Sequence, residues 1–508
     1  MSFVLSFLLW SQRWDLNILN SLKLNRITVS LRGAAIFIDR LHWLWLALAA
    51  PFLLFPSPSR SLALFAVPAL WLVAWLAGRE PLPRTPLNTA LLLMFFMVLV
   101  SLWATYDIGY SLPKISGMVL GIGVFFAVAR EAGHPRGWIL SLLAFLGIGL
   151  GIAALGVIGT SWASSKITFL DPIIARLPRF ITGLQGAETG LHPNEVAGAL
   201  IWMLPLMITM NVALFCLPRR QPRPAFDRLA PVDSRLKRGA EKNEDAQSPR
   251  KGWQKIRGWQ LMGVTLLCLA ATSFVAAVFL LSQSRGSYIA LALTLPVLFL
   301  IALPHKWKRY SLIILALLAM IGGILLASHW EAARTWSTGS DLASDPALSL
   351  VTLESRLEIW SRAIYGIQDF PFTGMGMNTF RKVLPVLYPL FTISSEFDIA
   401  HAHNEFLQAA LDLGIPGLVA FIALYIVAFW MLADVWRVTC HSQLITDHWS
   451  LVTRSLTLGL GGGLLAHLLY GLTDAVALGA KPGVLFWMLL GLIAGLYSQV
   501  RSNRAMSV

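Results

Sequence analysis

The stretch His401-Ala402-His403-Asn404-Glu405-Phe406-Leu407-Gln408 sets two imidazoles, an amide and a carboxylate just ahead of an apolar run. Such groups are expensive at the edge of a bilayer, which makes the stretch a candidate reaction centre. An imidazole with an unperturbed pKa near ~6.5 can accept a proton from a hydroxyl at neutral pH, and Asn404 or Glu405 could orient it. Residues two apart in an extended strip point in opposite directions, so His401 and His403 are expected to face different surroundings. The residue types also allow a plainer role, in which His and Asn cap the following helix while Gly414 and Gly417 let neighbouring helices approach.

Anion ligands come next. Arg285 sits in Ser282-Gln283-Ser284-Arg285-Gly286-Ser287, a short turn in which Gly286 permits close backbone approach and a helix begins. A guanidinium beside a helix N-terminus suits a phosphate, since the donor fork and the dipole both favour an anion; the alternative is an arginine snorkelling to mark a helix end. Arg356 lies between Glu354 and Glu358 on a helical stretch in which Leu357, Trp360 and Ile364 share one face. It is either a second anion ligand or half of a surface ion pair. Asp474, in Tyr470-Gly471-Leu472-Thr473-Asp474, could bind sugar hydroxyls, orient an arginine or cap a helix. In Gly190-Leu191-His192-Pro193-Asn194-Glu195, Pro193 interrupts regular helix and Asn194 is expected to cap the span that follows. His401, His403, Glu405 and His192 carry metal-compatible atoms, but no His-Glu-x-x-His occurs and no Asp-x-Asp falls in an outward loop. Two arginines can neutralise a diphosphate without a cation, so no metal and no cofactor are expected.

The elements that must position these residues are membrane spans. The chain has 508 residues, is 56% hydrophobic and 13% charged, and has a mean hydropathy of +0.67. Its apolar runs are long enough to cross a bilayer, at about 35–55, 61–78, 86–106, 115–130, 137–158, 195–217, 259–282, 286–303, 309–328, 410–434, 452–475 and 482–500. The reading is an all-α polytopic membrane protein of about twelve transmembrane helices, with a large extracytoplasmic loop between spans nine and ten. Asp39-Arg40 in the first run suggests that this span starts near Leu41. Net charge is +14, but no zinc knuckle, RNA-recognition signature or basic helix with interleaved aromatics occurs, so the charge reads as topology and no nucleic acid partner is expected.

Lys and Arg concentrate in loops of one parity, which puts both ends in the cytoplasm. Residues 1–34 read as an N-terminal interfacial segment, 35–217 as spans one to six, and 218–258 as a basic cytoplasmic loop carrying arginines and lysines from Arg219 to Arg257. Spans seven to nine occupy 259–328, a periplasmic loop with the candidate motif 329–409, and spans ten to twelve 410–500, leaving a tail at 501–508. The basic loop is a tether or a dock for anionic lipid. None of Cys216, Cys268 and Cys440 falls in an outward loop, so no disulfide is expected. Loop parity sets the 190–195 tract, the 282–287 turn, the 329–409 segment and Asp474 on one side, the outer one.

His403-Asn404, nine residues, Gly414, two residues, Gly417 resembles the motif of the bacterial O-antigen ligase and polymerase superfamily, integral membrane glycosyltransferases that use sugars carried on polyprenyl diphosphate. The 282–287 turn, Arg356 ahead of Trp360, the Pro371–Phe380 strip and the His192-Pro193-Asn194 tract are similar to that superfamily too. The resemblance implies His403 as catalytic base, Arg285 and Arg356 on the donor diphosphate, and a metal-independent inverting transfer at the periplasmic face of the bacterial inner membrane. His401, Asn404, Glu405, Asp474, His192 and Asn194 are then substrate-contacting or orienting residues. The donor would be an undecaprenyl-diphosphate-linked glycan, and the acceptor the lipid A-core for a ligase or a growing glycan for a polymerase; membrane lipids surround both. A transporter of a polyprenyl-linked or other anionic lipid is the rival class, but carriers place such groups on broken helices near the midplane.

Overall fold

The computed structural model describes residues 25–162, 168–178, 180–181, 183, 190–216, 258–328, 353–391, 393, 398–441, 447–476 and 478–505. Apart from an isolated bridge between Thr160 and Leu191, the regular structure among these residues is helical. The chain divides into two compact units, Met1–Arg84 and Thr85–Val508.

In the first unit, α1 (Asn25–Arg40) and α2 (His42–Leu54) meet at Leu41, and Arg32–Arg40 and His42–Leu54 bend by 68°. The break falls where Asp39-Arg40 interrupts the apolar run. Asp39 is buried and its carboxylate is 2.8 Å from the Arg79 guanidinium, just past α3 (Ala66–Leu76). A buried charge at a span's edge is tolerated when paired in this way.

The second unit contains α4 (Asn88–Ala104), α5 (Ile108–Glu131), α6 (Pro135–Gly159), α7 (Pro193–Leu200), α8 (Leu204–Cys216), α9 (Gly258–Leu281), α10 (Arg285–Ala302), α11 (His305–Ser328), α12 (Leu353–Asp369), α13 (Phe380–Leu387), α14 (Glu405–His441), α15 (Asp447–Tyr470) and α16 (Val484–Ala505). Every one of the expected apolar runs coincides with helix. Seven helices among the described residues are long and apolar enough to cross a membrane, or eight if the bent pair is one span. The helices around Arg60–Leu76 and Asn88–Ala104 are apolar but shorter. The protein is therefore a multi-pass membrane protein. Residues 1–24, most of the basic 218–258 loop, Arg179, Cys440's following loop at 442–446 and the 329–352 part of the outer segment lie outside the described residues.

Two features of this unit position the candidate residues. First, α14 starts at Glu405, directly after the His-Asn pair, and is interrupted at Gly414 by a non-helical residue (φ 69°, ψ 177°). The break frees backbone groups that the 371–375 strip satisfies: Met375 N–H donates to Leu411 O and Ile415 N–H to Pro371 O, both at 2.7 Å. Gly414 thus admits a turn rather than a neighbouring helix, and a Cβ there would lie 2.6 Å from the Phe372 carbonyl oxygen. Second, a buried cluster including Ile359, Ala363, Met375, Phe380, Leu384 and Leu411 ties α12 and α13 to the first turns of α14. Each large apolar side chain there contributes about 1.5–3 kcal/mol. The buried face of α12 is Ser355, Ile359 and Ala363, whereas Leu357 and Ile364 of the expected apolar stripe are exposed.

Gly414→Ala is expected to destabilise the second unit by about 1–3 kcal/mol, because it adds left-handed strain and a backbone clash. A lowered melting temperature in detergent would register this; an unchanged one would refute the docking of the strip into the helix break.

Candidate active site

The candidate residues gather around one loop. After α15 ends at Tyr470, residues 471–476 turn back toward the start of α14, and this turn is clamped from three sides. Glu405 accepts N–H donations from Val476 (2.5 Å) and Leu478 (2.9 Å), and its own N–H donates to Gly471 O at 2.7 Å. Asn404 Nδ2 donates to Leu472 O at 3.2 Å, and Arg356 Nη1 to Thr473 O at 2.7 Å. A Cβ on Gly286 would sit 2.4 Å from Thr473 Oγ1, so the turn before α10 approaches this loop as closely as its glycine allows. Residues from three separate stretches, 404–405, Arg356 and Gly286, therefore hold the loop that carries Asp474.

Asp474 itself is 4% exposed. Its Oδ1 accepts the Ala475 N–H at 2.9 Å, and the Tyr470 hydroxyl reaches Oδ2 at 3.0 Å and Asn194 O at 2.8 Å. His401 Nε2 lies 3.5 Å and His403 Nδ1 3.6 Å from Asp474 Oδ1. The two rings are 4.4 Å apart, edge to face. The expectation that they point in opposite directions fails because the strip is a turn and not extended: His403 has φ +48°, and its N–H donates to His401 Nδ1 at 3.1 Å. Among the described residues, Gln283, Asn378 and His403 are the non-glycines with positive φ. Such a conformation costs about 1–3 kcal/mol and persists where the surroundings over-determine it.

Burial, joined by the charges of His403, Lys114 and His192, pushes His401 down to about 3 against the pull of Asp474. Burial works to raise Asp474. The His403 N–H aimed at it, the two imidazoles and the Arg356 guanidinium outweigh that and hold it well below the usual carboxylate range. His401 Nδ1 accepts from a backbone N–H, so a neutral His401 carries its proton on Nε2, facing the carboxylate. The Asp474 carboxylate 3.6 Å from His403 Nδ1 favours the tautomer protonated there, which leaves a lone pair on Nε2.

The arginines complete the constellation. Arg285 opens α10 and lies close enough to Arg356 for their like charges to act on each other, and Arg356 acts in turn on Asp474. Arg356 Nε is buried with no hydrogen-bond partner among the described residues. Two guanidinium groups near helix starts have the charge and donor geometry that suit a multiply charged anion. Asn404 Oδ1 caps α14 by accepting from Phe406 (3.0 Å) and Leu407 (3.1 Å). At α7 the cap is His192 and not Asn194: Pro193 takes the first helical position, so His192 Nδ1 accepts the Asn194 N–H at 3.3 Å. The Asn194 carbonyl receives the same Tyr470 hydroxyl that reaches Asp474, which sets the start of α7 beside the site.

His401, His403 and Asp474 also form a group whose ligand atoms lie within 4.8 Å of one another, a spacing compatible with a metal ion. No local sequence signature announced it, because the carboxylate comes from a loop some seventy positions away. Tyr470, Gln408, Asp412 and Lys114 were not singled out by sequence reasoning either. Asn404, Gln408 and Asp412 do recur every fourth position, the one signal that could have marked them.

Residues 269–422 match the family model Wzy_C, O-antigen ligase, and the chain carries a domain of that family over this range. The match takes in Arg285, Arg356 and the whole 401–417 stretch, and ends before Asp474. No curated protein matches the chain.

His401 stays neutral until the pH falls to about 3. Its folded pKa lies below the unfolded value of ~6.5, so acid disfavours the folded state as pH drops through that window. Any midpoint in the pH–rate profile between pH 5 and 8 therefore belongs to another group. His401→Gln should keep that midpoint whatever its rate, and a displacement of a full unit would contradict the assignment.

Proposed function

We propose that the protein is an inverting glycosyltransferase of the O-antigen ligase type, moving a glycan from undecaprenyl diphosphate to the hydroxyl of a lipid acceptor, the lipid A-core, at the periplasmic face of the inner membrane. The Wzy_C domain indicates a membrane glycosyltransferase of the ligase and polymerase family with lipid-linked glycan substrates. The observation that carries the finer reading is the convergence of two arginines with a histidine–carboxylate pair at helix starts. In this reading the twelve helical runs all cross the membrane, with both chain ends and the basic 218–258 loop on the cytoplasmic side and 329–409 on the periplasmic side.

His403 Nε2 takes the proton of the acceptor hydroxyl as its oxygen attacks the anomeric carbon from the face opposite the diphosphate. The anomeric C–O bond breaks, its electron pair leaves on the diphosphate oxygen, and configuration inverts. Asp474, held ionised, stabilises the imidazolium that forms, while Arg285 and Arg356 offset the charge growing on the leaving group. Diphosphate needs no general acid to leave. His401 faces the same carboxylate oxygen as His403, the Asn194 carbonyl anchors the Tyr470 hydroxyl, and Glu405 and Asn404 hold the Asp474 loop in place.

The reaction is metal-independent in this reading. A metal on His401 Nε2 would displace the proton that the His403 N–H donation to Nδ1 places there, setting two donors against each other. The location of the charges also favours an enzyme over a carrier: Arg285 is the first residue of its helix, Arg356 the fourth, and His403 precedes one, so none sits in mid-span.

His403→Ala should reduce transfer from a purified lipid-linked glycan by ~10²-fold or more while donor binding persists. Normal turnover would remove His403 from the chemistry. Arg356→Ala and Arg285→Ala should each weaken donor binding by ~10-fold or more, the loss of one charge-assisted interaction of about 1.5–3 kcal/mol. With donor supplied with and without lipid A-core, a single glycan joined to the core marks a ligase. Lengthening of the lipid-linked chain marks a polymerase, and no product with either restores the carrier. Activity abolished by a chelator and restored by a divalent ion would overturn metal independence.

A further inference from the structure

Beneath the histidine turn lies a second polar assembly that the transfer mechanism does not use. Asp412, two turns into α14, is fully buried at 0% exposure. Its Oδ2 is 3.2 Å from Lys114 Nζ on α5, and its Oδ1 accepts from the Asn378 N–H at 3.1 Å and from Gln408 Nε2 at 2.8 Å. Gln408, itself buried, turns its Oε1 to the Ala402 N–H at 2.9 Å. Ala402 is the residue between the two histidines.

We propose that Asp412 and Gln408 are positioning residues that hold His403 at the angle needed to deprotonate the acceptor, with the Lys114 ammonium 3.2 Å away fixing the Asp412 carboxylate in place; this rests on His403 being the base. The chain of bonds has a direction. An ionised carboxylate only accepts hydrogen bonds, so Asp412 forces the Gln408 amide to present its nitrogen downward and its oxygen upward. That oxygen then fixes the one backbone N–H lying inside the histidine turn. His403 is in a strained left-handed conformation, and its neighbour's N–H must be pinned for that conformation to persist. The polar stripe Asn404, Gln408, Asp412 thus stacks three tasks on successive turns of one helix: Asn404 caps, Gln408 holds the turn, and Asp412 orients Gln408.

Other side chains at Gln408 cannot substitute. Leucine fills a similar volume but offers no acceptor to Ala402, and glutamate would set a second carboxylate against Asp412. Asparagine at 412 keeps one acceptor but loses the charge that selects the amide's orientation and pairs with Lys114.

The test compares Gln408→Leu, Asp412→Asn and His403→Ala in full-length protein, using the same lipid-linked glycan and acceptor. A base displaced by about 1 Å costs on the order of 10²-fold in rate. Gln408→Leu is therefore expected to lose roughly 10²-fold in kcat, and Asp412→Asn less, while the KM for donor and the melting temperature stay near wild type because Arg285 and Arg356 are untouched. The double variant Gln408→Leu with His403→Ala should be no slower than His403→Ala alone, since a base already absent cannot be mispositioned. Wild-type kcat in both single variants overturns the proposal. So does a loss of donor affinity or of the cooperative melt in both, which assigns the residues to folding alone. Retention of activity by His403→Ala would instead sink the proposed base, and is read separately from either result.

Discussion

A carboxylate buried at the edge of a membrane must be held ionised by what surrounds it or give up its charge, and Asp474 is the point on which this constraint acts. Its compensation comes from several directions. Two imidazoles face one of its oxygens, a tyrosine hydroxyl the other, a backbone N–H adds to the first, and the Arg356 charge lies nearby. Only Ala475, its neighbour, and Tyr470, four positions earlier, are close to it in sequence. Satisfying that one charge therefore brings the start of α14, the start of α12 and the start of α7 to the end of α15. The convergence of the site and the stability of the loop are the same physical fact.

The fold was legible because hydropathy is a local signal. Runs of apolar residues read from composition all fall on helices, and even the Asp39-Arg40 interruption marks a real break between helices. The site was legible where its chemistry sits in contiguous residues, as at Arg285-Gly286 and His401 to Glu405. What stayed hidden depends on partners far apart in the chain. For Asp474 the residue types left sugar contact, an arginine partner and helix capping open and did not point to the histidines beside it, and Lys114, near the start of an apolar run, gave no hint of Asp412. The two histidines were expected to diverge because period-two alternation assumes extended backbone, and a left-handed residue at a non-glycine position leaves no trace in residue type. Asn194 lost the capping role to His192 for a more readable reason: a proline fits the first helical position, which moves the cap one residue earlier.

The arrangement also separates two demands that conflict at a single residue. A base must be free to exchange a proton, whereas a site that binds a highly charged lipid must present positive charge. Were His403 surrounded by the arginines alone, the imidazolium formed on deprotonating the acceptor would add to a positive cluster and be disfavoured. Asp474 lies between the two functions: its carboxylate faces the histidines, and the backbone of its loop receives Arg356. In the proposed mechanism the imidazolium is thereby paired as it forms, and the positive charge of the guanidinium groups is directed to the donor anion. Neutral His401 fills the remaining contact on Oδ1 without adding charge, a division that its burial enforces.

Strain and packing then account for why the turn is built as it is. Residues in left-handed backbone at Gln283, Asn378 and His403 each border a group to which a role is proposed: Arg285 two positions on, the Asp412 carboxylate, and the imidazole itself. Such conformations relax unless rigid neighbours prevent it, and in this protein the neighbours are membrane-crossing helices whose backbone bonds have no water to exchange with. The Gly414 break gives α14 one place to yield, and the 371–375 strip closes it by taking up the freed donor and acceptor. The helix can therefore start at the histidine turn and still run on through the membrane, with the reactive end fixed by side chains and the apolar end by packing.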